Sequence, residues 1–186
     1  MNETIIKTVE ILQQGGIILY PTDTIWGIGC DATNPEAVQK IYDLKQRSET
    51  KSMLILVNGE RMLYQVFNQV PEVAFQLWEF AVKPTTLILD NPKGIAKNLL
   101  AEDNSLGVRM VNEPFLYKVL ERFKKPIVST SANLSGDANP TCFNEINPIL
   151  KQKIDFVVPL YHDKICKNPS TIIKLTADSQ VKIIRK

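Results

Sequence analysis

A proline directly behind a continuous apolar run constrains this chain more than any other feature. Ile17-Ile18-Leu19-Tyr20 has the character of a buried strand, and Pro21 ends it by removing a backbone donor and fixing φ. Thr22-Asp23-Thr24 follows, two hydroxyls around a carboxylate, and the chain resumes through Gly27 and Gly29, which permit close approach of backbone or ligand. The pattern predicts a strand that hands polar side chains to the floor of a small-molecule site.

Helix and strand signals alternate around it. Ile5, Ile6, Val9 and Leu12 share a helical face that stops at Gly15-Gly16. Asn34-Pro35-Glu36 is a helix start with cap, proline and first-turn acid, and Ala37, Val38, Ile41 and Leu44 give its buried stripe. A polar loop from Lys45 to Ser52 leads to a strand at 53–57. Two short helical patterns lie between Gly59 and Phe80, split at Pro71, the second burying Val73, Leu77 and Trp78. Strands are expected at 84–89 and 106–111. Asn112 or Glu113 before Pro114 opens a helix that buries Phe115, Leu116, Val119, Leu120 and Phe123. A strand entering Ser129, a helical pattern over 143–150, a short strand at 156–158 and a hairpin of 170–175 with 181–184 complete the chain. This order predicts an α/β layer architecture.

At 186 residues the chain has the length of one domain, 1–186, and can bury roughly 70% of its unfolded surface without a staple. A hydrophobic share of 44% against 23% charged excludes a disordered chain. A formal charge of +2 is too small for a bulk polyelectrolyte binder, so phosphate affinity has to come from a local cluster. Cys30, Cys142 and Cys166 are widely spaced and odd in number, which favours a reducing compartment. With His162 as its single histidine, the chain is a poor candidate for a zinc set or a Ser-His-Asp triad. No targeting pattern precedes the first helix and no stretch approaches about 18 apolar residues, so a cytoplasmic protein without membrane association is expected.

Three segments let an apolar strand deliver polar side chains at its end: Thr22-Asp23-Thr24, the strand around Arg109, and Ser129 to Ser135. Ligands of open α/β sheets bind outside strand ends, so one crevice is expected to gather the three. Lys45, Arg47 and Lys51 add positive charge. Hydroxyls, an amide and cations, without metal ligands or a histidine base, suit a phosphate ester or an adenylate. Plainer readings stand beside these: a capped turn at Thr22–Thr24, a solvated helix end at the cations, and an ST-turn at the serines. Arg109 resists such a reading, because a buried guanidinium needs an anionic partner. Trp26 reads as a packing residue or pocket wall rather than a catalytic group, and the cysteines and His162 as structural. No nucleophile elbow, phosphate-binding loop or dinucleotide fingerprint is present, so any nucleotide has to be held by side chains from scattered strands.

Taken together, Tyr20-Pro21-Thr22-Asp23-Thr24 with Gly27-Ile28-Gly29, Lys45-Gln46-Arg47, Ser129 to Gly136, and Pro169-Ser170-Thr171 resemble the motifs of the YrdC-type threonylcarbamoyl-AMP synthase family, in the family's order. The chain departs from the pattern at Asp23 for glutamate, Trp26 for tyrosine, Ser48 for proline, Ala81-Val82-Lys83-Pro84 for a Trp-Pro-Gly-Pro run, and Val111 for proline. The resemblance implies a twisted open mixed sheet flanked by helices, with a concave basic cavity. It implies synthesis of threonylcarbamoyl-AMP and pyrophosphate from L-threonine, bicarbonate and ATP, for threonylcarbamoyladenosine modification of tRNA. It implies that Thr22, Arg109 and Ser170 hold threonine, and that Ser129, Ser131 and Asn133 contact the nucleotide. Lys45 and Arg47, with Lys51, would stabilise charge on the phosphates, Mg²⁺ arriving on the nucleotide rather than in a protein-held metal site. tRNA or the downstream threonylcarbamoyl-transferase proteins are the expected macromolecular partners. The competing reading is an RNA-binding module of the same fold, disfavoured by the lack of an exposed aromatic series for stacking bases.

Overall fold

The computed structural model describes residues 1–186 apart from 47–52, 167 and 177. Helix α1 (Asn2–Gln13) buries Ile5, Val9 and Leu12 as its spacing requires. The place expected for Ile6 is taken by Thr8, whose hydroxyl donates to the Thr4 carbonyl at 2.7 Å and can be buried without an unmet donor. Strand β1 (Ile18–Tyr20) is fully buried and returns antiparallel as β2 (Gly27–Gly29) after the Pro21 interruption. Gly29 is required there: a Cβ would lie 2.3 Å from the Val128 carbonyl oxygen and 2.8 Å from the Tyr20 ring.

Helix α2 (Pro35–Lys45) starts under Asn34, whose side chain accepts from the amides of Glu36 and Ala37. Its stripe is Ala37, Val38, Ile41 and Tyr42, closing on a buried Lys45 where Leu44 was expected; Leu44 is only half-buried. Strand β3 (Leu54–Val57) leads to α3 (Glu60–Val66) and α4 (Glu72–Glu79). In α4 only Ala74 is fully buried, while Val73, Leu77 and Trp78 stay half-buried, the Trp78 indole donating to the Thr85 carbonyl at 3.1 Å. Strands β4 (Thr85–Asp90) and β5 (Ser105–Met110) follow, then α5 (Pro114–Phe123), capped by the Glu113 carboxylate and burying the five residues its pattern marks. After β6 (Ile127–Ser131), the pattern over 143–150 divides into a 3-10 turn at Phe143–Glu145 and α6 (Pro148–Lys153), which Asn147 caps and Pro148 begins. Strands β7 (Phe156–Val157), β8 (Thr171–Leu175) and β9 (Val181–Arg185) complete the set.

The described residues form a nine-stranded sheet in the order β7-β1-β2-β6-β3-β5-β4-β8-β9. The pairs β7–β1, β3–β5 and β4–β8 are parallel and the rest antiparallel, so the sheet is mixed, and it stays open with β7 and β9 at its edges. The period of two decides what each face does. Leu106 and Val108 of β5, Leu87 and Leu89 of β4, and Val128 of β6 lie in the buried core. The alternate positions, Ser105, Gly107 and Arg109, then Thr86 and Ile88, then Ser129 and Ser131, face the other way.

Candidate active site

On that second face lies a cavity of about 640 Å³. Thr22, Thr24, Trp26 and Gly27 bound it on one side, and Ser170, Lys174, Ile184 and Arg185 on the other. The expected crevice outside the strand ends is therefore corrected. The polar residues lie along the face of the central strands, because period-two alternation sends Ser105, Gly107 and Arg109 to one side over the whole of β5.

The Thr22–Thr24 segment is a closed hydrogen-bond relay. Thr22 Oγ1 donates to the Ile25 carbonyl at 2.7 Å and accepts from the Thr24 amide at 2.9 Å. Its proton being committed, the 2.8 Å contact between the two hydroxyls has Thr24 as donor. Thr24 Oγ1 in turn accepts from Arg109 Nη1 at 3.0 Å. Thr22 thus lines the cavity with a hydroxyl whose hydrogen-bonding capacity is already used, and Thr24, which the sequence left unassigned, touches the guanidinium. Arg109 is buried, its Nη2 lies 3.1 Å from Asp23 Oδ1, and its Nε is buried without a hydrogen-bond partner among the described residues. Asp23 Oδ1 also lacks a hydrogen bond of good geometry, so the pair is ionic rather than a well-aligned fork.

A second network fixes the loop after β6. Lys45, 1% exposed, donates to the carbonyls of Ser131 and Asn133, at 2.5 Å each, and to Asn133 Oδ1 at 3.2 Å. Ser131 Oγ donates to the same Oδ1 at 2.5 Å, and Asn133 Nδ2 donates to the Asp137 carbonyl at 2.6 Å. Of this set Ser131 reaches the cavity, while Lys45 and Asn133 stand behind it. Ser129 also lines it. Arg47 and Lys51, the other cations read from the sequence, lie outside the described residues.

Across the cavity, buried Ser170 shares a 2.8 Å hydroxyl contact with Thr86, and Arg185 donates to the Ser170 carbonyl through Nε at 3.1 Å and Nη2 at 2.8 Å. Burial first, and the Arg109 charge second, push the Arg185 guanidinium below its ordinary value, though an arginine there remains charged. Lys174 is ion-paired with Asp103, and both line the cavity. Sequence reasoning missed Thr86, Ser105, Lys174 and Arg185. The alternation of polar and apolar residues in β4, β5 and β8 was the available signal. Arg185 gave no such signal, standing between Lys182 and Lys186 in a strand that reads as exposed. Trp26 forms wall as expected, fully buried with Phe143 and His162 rings at 5.1 and 5.5 Å.

The Sua5/YciO/YrdC family model, described as telomere recombination, matches residues 10–186. The chain belongs to the Sua5/YciO/YrdC family. The threonylcarbamoyl-AMP synthase of Pseudoalteromonas translucida is 31% identical over 163 residues, covering 84% of this chain and 86% of the relative. Among solved structures, E. coli YciO superposes with a TM-score of 0.85 at 27% identity, over 100% of this chain and 90% of its own. A variant of P. abyssi Sua5 superposes with a TM-score of 0.87 at 25% identity, over 97% of this chain and 55% of the Sua5 chain. The Sua5/YciO/YrdC membership bears out the mixed open sheet that the motifs implied.

Proposed function

We propose that this chain is a threonylcarbamoyl-AMP synthase, a nucleotidyltransferase that joins L-threonine, bicarbonate and ATP into threonylcarbamoyl-adenylate with release of pyrophosphate. The observation that carries it is a buried Arg109 guanidinium, one nitrogen unpartnered, on the wall of a hydroxyl-lined cavity in a chain akin to a named synthase over most of its length. Arg109 is the group to take the threonine carboxylate, since a guanidinium matches its planar geometry. Thr24 orients that arginine. Thr22 contributes a preset backbone corner and its methyl rather than its hydroxyl, and Ser170, held by Thr86 and Arg185, closes the far side.

The C–O bond of bicarbonate breaks to give carbon dioxide and hydroxide, the free threonine amine adds to the carbon dioxide, and its proton joins the hydroxide as water; an oxygen of the resulting carbamate then attacks the α-phosphorus as pyrophosphate leaves. Ser129 and Ser131, which line the cavity, would contact the nucleotide, with Asn133 and Lys45 behind them holding the loop; Arg47 and Lys51 keep the phosphate role that the family motif implies. Arg185 adds a cation toward the accumulating negative charge. Alignment of three substrates over a preset face supplies much of the acceleration, in keeping with a cavity that offers no histidine base. A magnesium ion would arrive on the nucleotide phosphates, its usual mode of binding. The adenylate then serves adenosine modification in tRNA, with tRNA or the transferring proteins as partners, in the cytoplasm. Among the described residues no helix is long and apolar enough to cross a membrane.

Pyrophosphate release from ATP by the purified chain is the direct test. It is expected to require both threonine and bicarbonate; release indifferent to either refutes the synthase reading. An RNA-binding module finds less support, since Trp26 is the one aromatic residue among the described residues lining the cavity.

A further inference from the structure

The ion pair of Asp23 with Arg109 has no part in the chemistry above. Thr22 and Thr24 face the cavity, whereas Asp23, between them, does not line it. Its carboxylate reaches Arg109 Nη2 at 3.1 Å from the side, while Thr24 Oγ1 holds Nη1 at 3.0 Å. Two adjacent residues thus engage the two terminal nitrogens of one guanidinium. Nε is closed off from the cavity, buried and without a hydrogen-bond partner among the described residues, so it adds no restraint of its own. A planar carboxylate pairs well with a guanidinium only when that group is held in one plane and direction.

We infer that Asp23 is a positioning residue: from outside the cavity it fixes the orientation of Arg109, so that the guanidinium is already aligned when the carboxylate of the substrate arrives. Two further observations fit this role. The guanidinium is almost fully withdrawn from water, its side chain 4% exposed, and a cation so placed needs a permanent counter-charge before any ligand arrives. Arg185 is close enough for its own ionisation to feel the Arg109 charge, so without Asp23 two guanidiniums would repel across one cavity. Thr24 alone is a weak restraint, since a neutral hydroxyl contributes less than a carboxylate to holding a cation. The inference rests on the synthase reading, in which the carboxylate belongs to threonine.

Threonine binding by calorimetry, with Michaelis constants for threonine and ATP, tests it on Asp23→Ala, Asp23→Asn and Asp23→Glu. Asp23→Ala is expected to weaken threonine about tenfold to a hundredfold and to leave ATP within about twofold, because orientation is lost at one subsite only. Asp23→Asn, which keeps shape and an acceptor oxygen, gives a smaller loss in the same direction and covers the case in which the alanine variant fails to fold. Asp23→Glu, carrying the residue of the family pattern, retains threonine affinity within about threefold. Threonine affinity that is unchanged or improved in Asp23→Asn overturns the inference alone, as does an equal loss for threonine and ATP. If the unsubstituted protein binds no threonine, the synthase reading and the inference fall together.

Discussion

Replacing Lys45 by methionine separates two roles that a buried lysine can have here, ligand to phosphate or anchor of a loop. The ammonium donates to two carbonyls, of Ser131 and Asn133, and to the Asn133 side chain, on a residue 1% exposed. Hydrogen bonds from a charged donor are worth about 1.5–3 kcal/mol each, so losing the two to carbonyl groups costs roughly 3–6 kcal/mol in gross terms. Part of this returns, because methionine needs no desolvation of an ammonium. A net loss of about 2–4 kcal/mol remains, equivalent for a chain of this size to a fall in Tm of roughly 5–12 °C. The bond from the Ser135 amide to the Lys45 carbonyl, 3.0 Å, is backbone and survives, so the damage stays local to Ser131 and Asn133. Thermal unfolding with and without ATP, and ATP titration calorimetry, read the outcome: a lowered Tm together with weaker nucleotide binding. A variant with unchanged Tm that no longer binds ATP would show the ammonium to be a direct phosphate ligand, and the anchoring described here would be wrong.

Other substitutions probe separate links. Arg109→Leu is expected to weaken threonine by about a hundredfold or more while ATP stays within about threefold, measured by calorimetry; equal losses would assign the guanidinium to the nucleotide or to structure alone. Gly29→Ala drives a methyl to within 2.3 Å of the Val128 carbonyl oxygen, and a cost of about 3 kcal/mol or more should lower the urea midpoint clearly; an unchanged midpoint would refute the close approach of β2 and β6. Asp103 offers a pH test. Hydrogen bonds from Lys174 and Ser105 hold its carboxyl down to about 2 from an ordinary 3.8, so its stabilisation is present above 3.8 and lost as pH falls toward 2. Asp103→Asn should therefore lower Tm slightly at pH 7 and not at pH 2, the effect being small because the pair is largely exposed.

Much of this architecture could be read from residues whose local physics leaves little choice. Asn34-Pro35 and Glu113-Pro114 start helices where their caps predict, and Pro21 ends a strand that is buried throughout. Misreadings occurred where burial was inferred from hydrophobicity alone. Thr8 and Lys45 are buried because each finds acceptors, one within its own helix and one in a loop 86 residues away, and the second kind of partner is invisible to any local pattern. Val73, Leu77 and Trp78 remain half-exposed although they are apolar. In the site, the motifs located Thr22, Ser129, Ser131, Arg109 and Ser170 on one cavity. What they could not convey is hydrogen-bond direction: Thr22 spends its hydroxyl on its near neighbours Ile25 and Thr24, and Arg109 is met from two sides only in a fold where residues 85 apart touch.

The wall formed by β9 is tied to the sheet on one side only, through β8 and across a register irregularity at Ile172 and Ile173, with every residue of β9 exposed. Edge strands of this kind open at a small fraction of the free energy of global unfolding. The cavity therefore combines a stiff half, built on the central strands, with a half able to peel away. Ligand bridging Arg109 and Arg185 would stitch the two together, so that occupancy at the sheet centre is registered as slowed amide exchange along Val181–Arg185.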